Sequence, residues 1–288
     1  MATAIIGIGN IGGPLARHLV RGGEPVVLAA KDEANAAALA QELGEHARAA
    51  SVEEAIAEAD AVVLAVWLDT IKELAAKDAD LLEGKVVVDP SNPIGVDENG
   101  EMTRTLPDDQ SAGSVVAAML PAGAHYVKAF GTLGADSLAS AANREPRRAV
   151  LLYATDDDAA AAAIERLISA AGFDPLKVGG VADAGRIEVP GGDLHQNGGP
   201  NGQLLNLDQA RTAVAADPTP LPRRDDPRTA SSSSTPTRAG SSRTPASCSS
   251  RARHSRPSSS SPPSHLRRFA TGSFRASSVG RDSRRPRC

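Results

Sequence analysis

Short apolar runs alternate along this chain with longer segments in which apolar residues recur every three or four positions. Ala4-Ile5-Ile6 opens a strand pattern near 4 to 8, and Ile11, Leu15 and Leu19 mark a helix over 11 to 21. The alternation repeats with a strand at 25 to 30, an Ala-rich helix from Asp32 to Leu43 closed by Gly44, and a short acidic helix capped by Ser51. A buried strand at 61 to 66, a helix at 69 to 76 and a strand at 85 to 89 follow. Residues 90 to 110, with Pro90, Pro93, Gly95, Gly100 and Pro107, read as a long functional loop. Beyond it come a helix around 114 to 119, a strand at 125 to 130, a loop through Arg144, and a last unit: strand 149 to 153, helix 156 to 171, strand 176 to 178. The pattern predicts an α/β fold, a Rossmann-type doubly wound parallel sheet with right-handed crossovers. Residues 1 to 140 form the expected dinucleotide-binding domain, and 141 to 216 a small carboxyl-terminal β-α-β extension on the acceptor side.

Composition divides the chain again near residue 216. From Asp217 to Cys288 there are 15 Arg and 4 Asp but no Lys, Glu or Ile, giving a formal charge of +11, whereas the preceding residues carry 16 basic and 31 acidic side chains, or −15. The Ser, Pro and Arg runs of 217 to 288 lack the apolar content to offset the entropy of ordering, so this low-complexity tail is expected to be disordered. Its composition fits an out-of-frame reading of a GC-rich gene better than a nucleic-acid-binding arm, because aromatics other than Phe269 and Phe274 are absent from it. Both cysteines, Cys248 and Cys288, lie in this tail, which leaves the folded part without a disulfide framework or a Cys-based metal site. The amino terminus has no signal-peptide pattern and the longest strongly apolar run, 61 to 68, is too short to span a bilayer. A cytoplasmic protein without membrane attachment is expected.

The chemistry concentrates at the first turn. In Gly7-Ile8-Gly9-Asn10-Ile11-Gly12 the glycines have the spacing that admits a tight turn, a close approach of backbone to pyrophosphate, and close packing of helix on strand. The second strand ends in Ala29-Ala30, where an NAD-preferring domain places an acidic side chain, and Lys31 follows. A cation there suits the 2′-phosphate of NADP, with Asp32 beside it as the opposing signal. Strand ends at Val66-Trp67-Leu68, Asp89 to Pro93 and Lys128 to Thr132 face the crevice where doubly wound sheets bind ligands. Trp67 suits either a packing role or the crevice wall, and Lys128 either an anionic substrate group or a strand-end cap. Gly131 leaves room for an acceptor. His195, with Asp193 and Gln196, suits either a proton donor or a hydrogen-bonded closing segment, and the second reading is preferred. Asp156, Asp157 and Asp158 read as carboxylates at a helix start, and His18, His46 and His125 show no metal-ligand spacing.

Taken in order, the segments GIGNIGGPLAR, VVLAV, KVVVDPSNPI, YVKAFGTL, GFDPLKVGG and GGDLHQNGGPNGQLL resemble the NADPH-dependent coenzyme F-420 reductase family over about residues 3 to 215. The resemblance implies an enzyme, an NADP(H)-dependent oxidoreductase that passes hydride between NADPH and coenzyme F-420, a deazaflavin, or a similar small conjugated acceptor. It also implies a homodimer, in which Gly7, Gly9, Asn10, Ile11 and Gly12 hold the pyrophosphate, Lys31 sits near the 2′-phosphate, and Val66, Asn92 and Ala129 flank the nicotinamide. No protein side chain is needed as a catalytic acid or base and no metal is expected. The chain departs from the family's usual residues at Ala30-Lys31, Val66-Trp67 and Gly131. The alternatives are a pyrroline-carboxylate-reductase-like imine or carbonyl reductase, or an NADPH-binding redox sensor without turnover.

Overall fold

A computed structural model of the chain describes residues 2–216; the tail from Asp217 onward, with its two cysteines, lies outside the described residues. In chain order the elements are β1 (Thr3–Ile6), α1 (Gly12–Arg21), β2 (Val26–Ala29), α2 (Glu33–Leu43), β3 (Ala47–Ala49), α3 (Val52–Glu58), β4 (Ala61–Leu64), α4 (Leu68–Lys77), α5 (Ala79–Leu82) and β5 (Val86–Asp89). They continue with β6 (Ile94–Val96), β7 (Met102–Arg104), α6 (Ala112–Met119), β8 (His125–Lys128), α7 (Ala135–Ser140), β9 (Val150–Ala154), α8 (Asp158–Ala170), β10 (Asp174–Gly179) and α9 (Leu207–Ala215).

Eight strands form one sheet in the order β10-β9-β8-β5-β4-β1-β2-β3. From β3 to β8 neighbours are parallel; β9 meets β8 antiparallel at Lys128 and Ala154 and then pairs in parallel with β10. The chain therefore runs outward from β1 to β3, returns to β4 on the other side of β1, and makes the order reversal at which a crevice opens beyond the strand ends. The mostly parallel α/β sheet follows the predicted pattern, and the β9-α8-β10 unit extends that same sheet.

Apolar residues fill both faces. Ile5, Val63, Val88 and Val127 pack on one side with α1 and α8, while Ala4, Ile6, Val62, Leu64 and Val87 pack on the other with α3 and α6. Burial on both faces explains why these strands read as continuous apolar runs. α1 presents Leu15, Ala16 and Leu19 to the sheet, and its buried His18 reaches across to α7, with Nε2 3.0 Å from the Leu138 carbonyl oxygen. Ser51 caps α3 in a capping box with Glu54, as its spacing predicts. Asp157 caps α8 by accepting from Ala160 N at 2.9 Å, and contacts His125 Nδ1 at 2.6 Å. That contact holds the Asp157 carboxyl below its usual range. Asp157 thus acts as cap and tie, and Asp156 accepts from Val181 N at 3.2 Å.

Several elements depart from the predicted pattern. The loop at 90 to 110 contains an antiparallel hairpin, with Ile94 opposite Arg104 and Val96 opposite Met102. Its turn is closed by Asp97 Oδ1, which accepts from Asn99 N and Glu101 N, both at 2.9 Å. Gly100 follows at φ +82°. The loop through Arg144 contains α7, and β3, α5 and α9 had no counterpart in the pattern. Among the described residues no helix is long and apolar enough to cross a membrane.

Candidate functional site

The residues marked out from the sequence fall into one row. Lys31 follows β2, Gly7 to Gly12 follow β1, Val66 follows β4, Asn92 follows β5 and Ala129 follows β8. The sheet places these strands side by side in that order, so the row advances by about 4.8 Å per strand.

The glycine turn is built from local constraints. Gly7 has φ +92°, and a Cβ there would fall on the Ala65 carbonyl at the end of β4. A Cβ on Gly12 would fall on the Gly7 carbonyl, so α1 starts this close to β1 only with glycine at both positions. Gly7 N donates to Ala29 O at 2.8 Å, tying the turn to β2. Gly9 differs: it is exposed, and a Cβ on it would meet no atom within 4 Å. Asn10 is also exposed and Ile11 half-buried. Open space lies where a pyrophosphate would meet the helix start, so the residues present fit that group.

At the end of β2, Lys31 and Asp32 are both exposed, and their roles separate. The Asp32 carboxylate accepts from Ala34 N at 3.1 Å, Asn35 N at 3.4 Å and Asn35 Nδ2 at 3.0 Å, which makes it the N-cap of α2. Lys31 remains the charged group beside the β2 terminus whose side chain is not part of that cap.

The opposite end of the row is a wall assembled from distant segments. Val66 is half-buried, and Trp67, which precedes α4, is 56% exposed and so is not part of the core. Asn92 is engaged at both ends of its amide: Nδ2 donates to Gly131 O at 3.2 Å and Oδ1 accepts from Val189 N at 2.8 Å. Ala129 is fully buried, with its side chain in the core, and its N–H donates to Asp89 O at 3.1 Å. Ser91 Oγ and Thr132 Oγ1 are buried and lack a hydrogen-bond partner. Gly131 is required for a reason the sequence did not reveal: a Cβ there would fall on the Pro90 carbonyl, so the ends of β5 and β8 close together only with glycine. The expectation that Gly131 leaves room for an acceptor is replaced by a packing requirement.

Lys128 sits beneath this wall. It is 2% exposed, with Nζ 3.0 Å from Asp89 Oδ2 and 3.2 Å from Glu188 Oε1, and it donates to Ser91 O. Asp89 also accepts from Ser91 N at 2.7 Å and Tyr126 Oη at 2.8 Å. Glu188 accepts from Ala112 N at 2.8 Å and Gly113 N at 2.7 Å. The first turn of α6 thereby compensates the second carboxylate. Burial, with the Asp89 and Glu188 charges, pushes the Tyr126 phenol well up. Lys128 is thus a buried anchor for the 89–92 turn, and the anion-binding alternative does not hold. Glu188 and Tyr126 escaped the sequence reading; the isolated acid in Arg186-Ile187-Glu188-Val189-Pro190 was the one local sign.

His195 is 2% exposed. Its Nδ1 accepts from Asn197 N at 3.1 Å, and the Gly131 backbone acts on the ring against the effect of burial. Burial pushes its pKa down to about 4, so the ring is neutral at physiological pH. Asp193, its neighbour in sequence, pairs instead with Arg186 at 2.8 Å.

Residues 2–93 match the family described as "NADP oxidoreductase coenzyme F420-dependent". A hypothetical protein of Sinorhizobium meliloti is 30% identical, with a TM-score of 0.59 over 66% of this chain and 91% of its own. A protein of Arthrobacter sp. FB24, described as a candidate F420-dependent NADP reductase, is 26% identical, with a TM-score of 0.55 over 63% of this chain and 86% of its own. No curated protein matches the chain. The glycine turn, the strand-end row and these relatives agree: the chain belongs to the coenzyme F420-dependent NADP oxidoreductase family.

Proposed function

We propose that this chain binds NADP(H) along the carboxyl-terminal edge of the sheet and passes hydride between it and coenzyme F-420 or a closely similar planar acceptor. Gly7, Gly9, Asn10, Ile11 and Gly12 cradle the pyrophosphate. Lys31 meets the 2′-phosphate, because the neighbouring carboxylate is already engaged as the cap of α2 and is not free to hold ribose hydroxyls. Val66, the Asn92 segment and the main chain at Ala129 flank the nicotinamide, and the exposed Trp67 ring offers a flat apolar surface beside it.

The observation that carries this reading is the engagement of every ionisable side chain described at the strand-end wall. Lys128 is bound by Asp89, Glu188 and Ser91. Tyr126 donates to Asp89, and His195 is neutral with its Nδ1 accepting from Asn197 N. Reduction of a carbonyl or imine is assisted by a positioned proton donor. Transfer between two stacked rings depends first on proximity and orientation. When bound, the nicotinamide supplies the hydride, and solvent supplies the proton that completes reduction of a deazaflavin. The chain's own residues orient the two ring systems and exclude water between them.

Stopped-flow absorbance with NADPH or NADH against coenzyme F-420, flavin mononucleotide and small cyclic imines tests the reading. The expected result is NADPH-dependent reduction of coenzyme F-420, with a rate that changes less than about twofold between pH 6 and 8. Reduction of imines alone, with a rate falling as pH rises, would replace this reading with acid-assisted chemistry.

A further inference from the structure

Phe130 is fully buried yet has φ +64°, in the left-handed region that bulky residues rarely adopt. It lies two residues beyond the end of β8, immediately before Gly131, whose missing side chain admits the Pro90 carbonyl. A turn in this conformation persists only where its surroundings over-determine it. Those surroundings come from a segment more than sixty residues further along. Gln196 N donates to Thr132 O at 2.9 Å, and Gln196 Oε1 accepts from Gly134 N at 2.8 Å. The other end of the Gln196 amide donates to Ser137 Oγ and to Gly202 O, both at 2.9 Å. His195 fixes its ring by accepting from Asn197 N through Nδ1, which assigns the proton to Nε2, and the Gly131 backbone, whose carbonyl accepts from Asn92 Nδ2, acts on that ring against the effect of burial.

We infer that His195 and Gln196 are positioning residues: they hold the Phe130–Gly134 turn in its left-handed form, and through the Gly131 carbonyl they set where the hydride acceptor rests, without exchanging a proton with it. The positioning of the turn rests on the contacts alone; its consequence for the acceptor rests on the function proposed above. His195→Gln keeps a donor near the place of Nε2, whereas His195→Ala removes it. Gln196→Met removes the bond to Gly134 N at similar volume.

The test measures amide hydrogen exchange of residues 130–134 in the full chain without ligand, then NADPH affinity, then kcat and KM for coenzyme F-420 from pH 6 to 9. His195→Ala and Gln196→Met are each expected to speed exchange in 131–134 by about tenfold, the scale of one lost hydrogen bond. His195→Ala is also expected to raise KM for the acceptor about tenfold, with NADPH affinity within about twofold and an unchanged pH profile. His195→Gln is expected to return both quantities to within about threefold of the wild type. Unchanged exchange in Gln196→Met and His195→Ala would overturn the inference. So would a His195→Gln variant as impaired as His195→Ala that has also lost a limb of the pH profile, since that identifies a proton donor. A wild-type protein that reduces no deazaflavin counts against the proposed function, while the exchange rates still decide the positioning role.

Discussion

The glycine turn at 7–12 and the turn at 130–134 lie on the same edge of the sheet, three strands apart, and they are stabilised differently. The first is fixed by residues close in sequence and by adjoining strand ends: Gly7 against Ala65, Gly12 against Gly7, and Gly7 N on Ala29 O. The second is fixed by Asn92 from one side and by His195 and Gln196 from a segment far along the chain. Beneath it a buried lysine lies between two carboxylates that come from β5 and from residue 188. The first turn therefore takes its contacts from the amino-terminal strands, whereas the second also depends on the segment that carries Glu188, His195 and Gln196. Substitutions at the two ends should separate nucleotide affinity from acceptor geometry.

The largest effect is expected beneath the acceptor end. Lys128→Met leaves Asp89 and Glu188 buried without their shared cation and should cost about 3–5 kcal/mol in urea unfolding. A loss below about 1 kcal/mol would show that this end is not held by the buried charges. The pH dependence of stability comes next. His195 is held down to about 4 from an ordinary 6.5, so between those values the unfolded chain binds a proton that the folded chain refuses. Its contribution is complete above about pH 6.5 and declines as pH falls toward 4, by about 3 kcal/mol at most. Burial lowers His18 as well, in the same sense. Urea midpoints from pH 7 to 4.5 should fall less steeply in His195→Gln than in the wild type; identical slopes would remove His195 from the account.

At the nucleotide end the effects should fall on binding. Gly9→Val places a side chain in open space, so the fold should persist, with stability within about 0.5 kcal/mol, while NADPH affinity falls by about a hundredfold or more. Circular dichroism and fluorescence titration read the two quantities. Gly12→Val, aimed at the Gly7 carbonyl, should instead lose the fold, and equal behaviour of the two variants would erase the distinction drawn between these glycines. The smallest effect is expected for Lys31→Glu, which should cut the preference for NADPH over NADH by about tenfold, the scale of one charge-assisted contact. Equal affinities for the two nucleotides in the wild type would remove the role given to Lys31.

The same contrast explains what could be read from the sequence. β1, β2, β4 and β5 are buried on both faces and so appear as apolar runs, and the glycine pattern itself lies within six residues even though Gly7 also meets Ala65 and Ala29. The hairpin at 94–104 is signalled by Asp97, Asn99 and Gly100, turn residues that a loop would carry equally well. β3 is three residues long, and its pairing with β2 is tertiary rather than local. Lys128 could not be resolved because its partners, Asp89 and Glu188, are 39 and 60 positions away, and a buried ion pair leaves no local spacing. For the same reason the sequence around Gly131 carries no sign of the Pro90 carbonyl, 41 positions earlier, that a Cβ there would meet.

The most direct test of the central claim is the fate of deuterium from NADPH labelled at the transferable position of the nicotinamide, followed by mass spectrometry of the products after a single turnover with coenzyme F-420. Transfer of the label to the deazaflavin ring, with a slowed rate and no washout into water, is the predicted result. Label that stays on the nucleotide, or that leaves it only when an imine or carbonyl compound is supplied, would contradict the account.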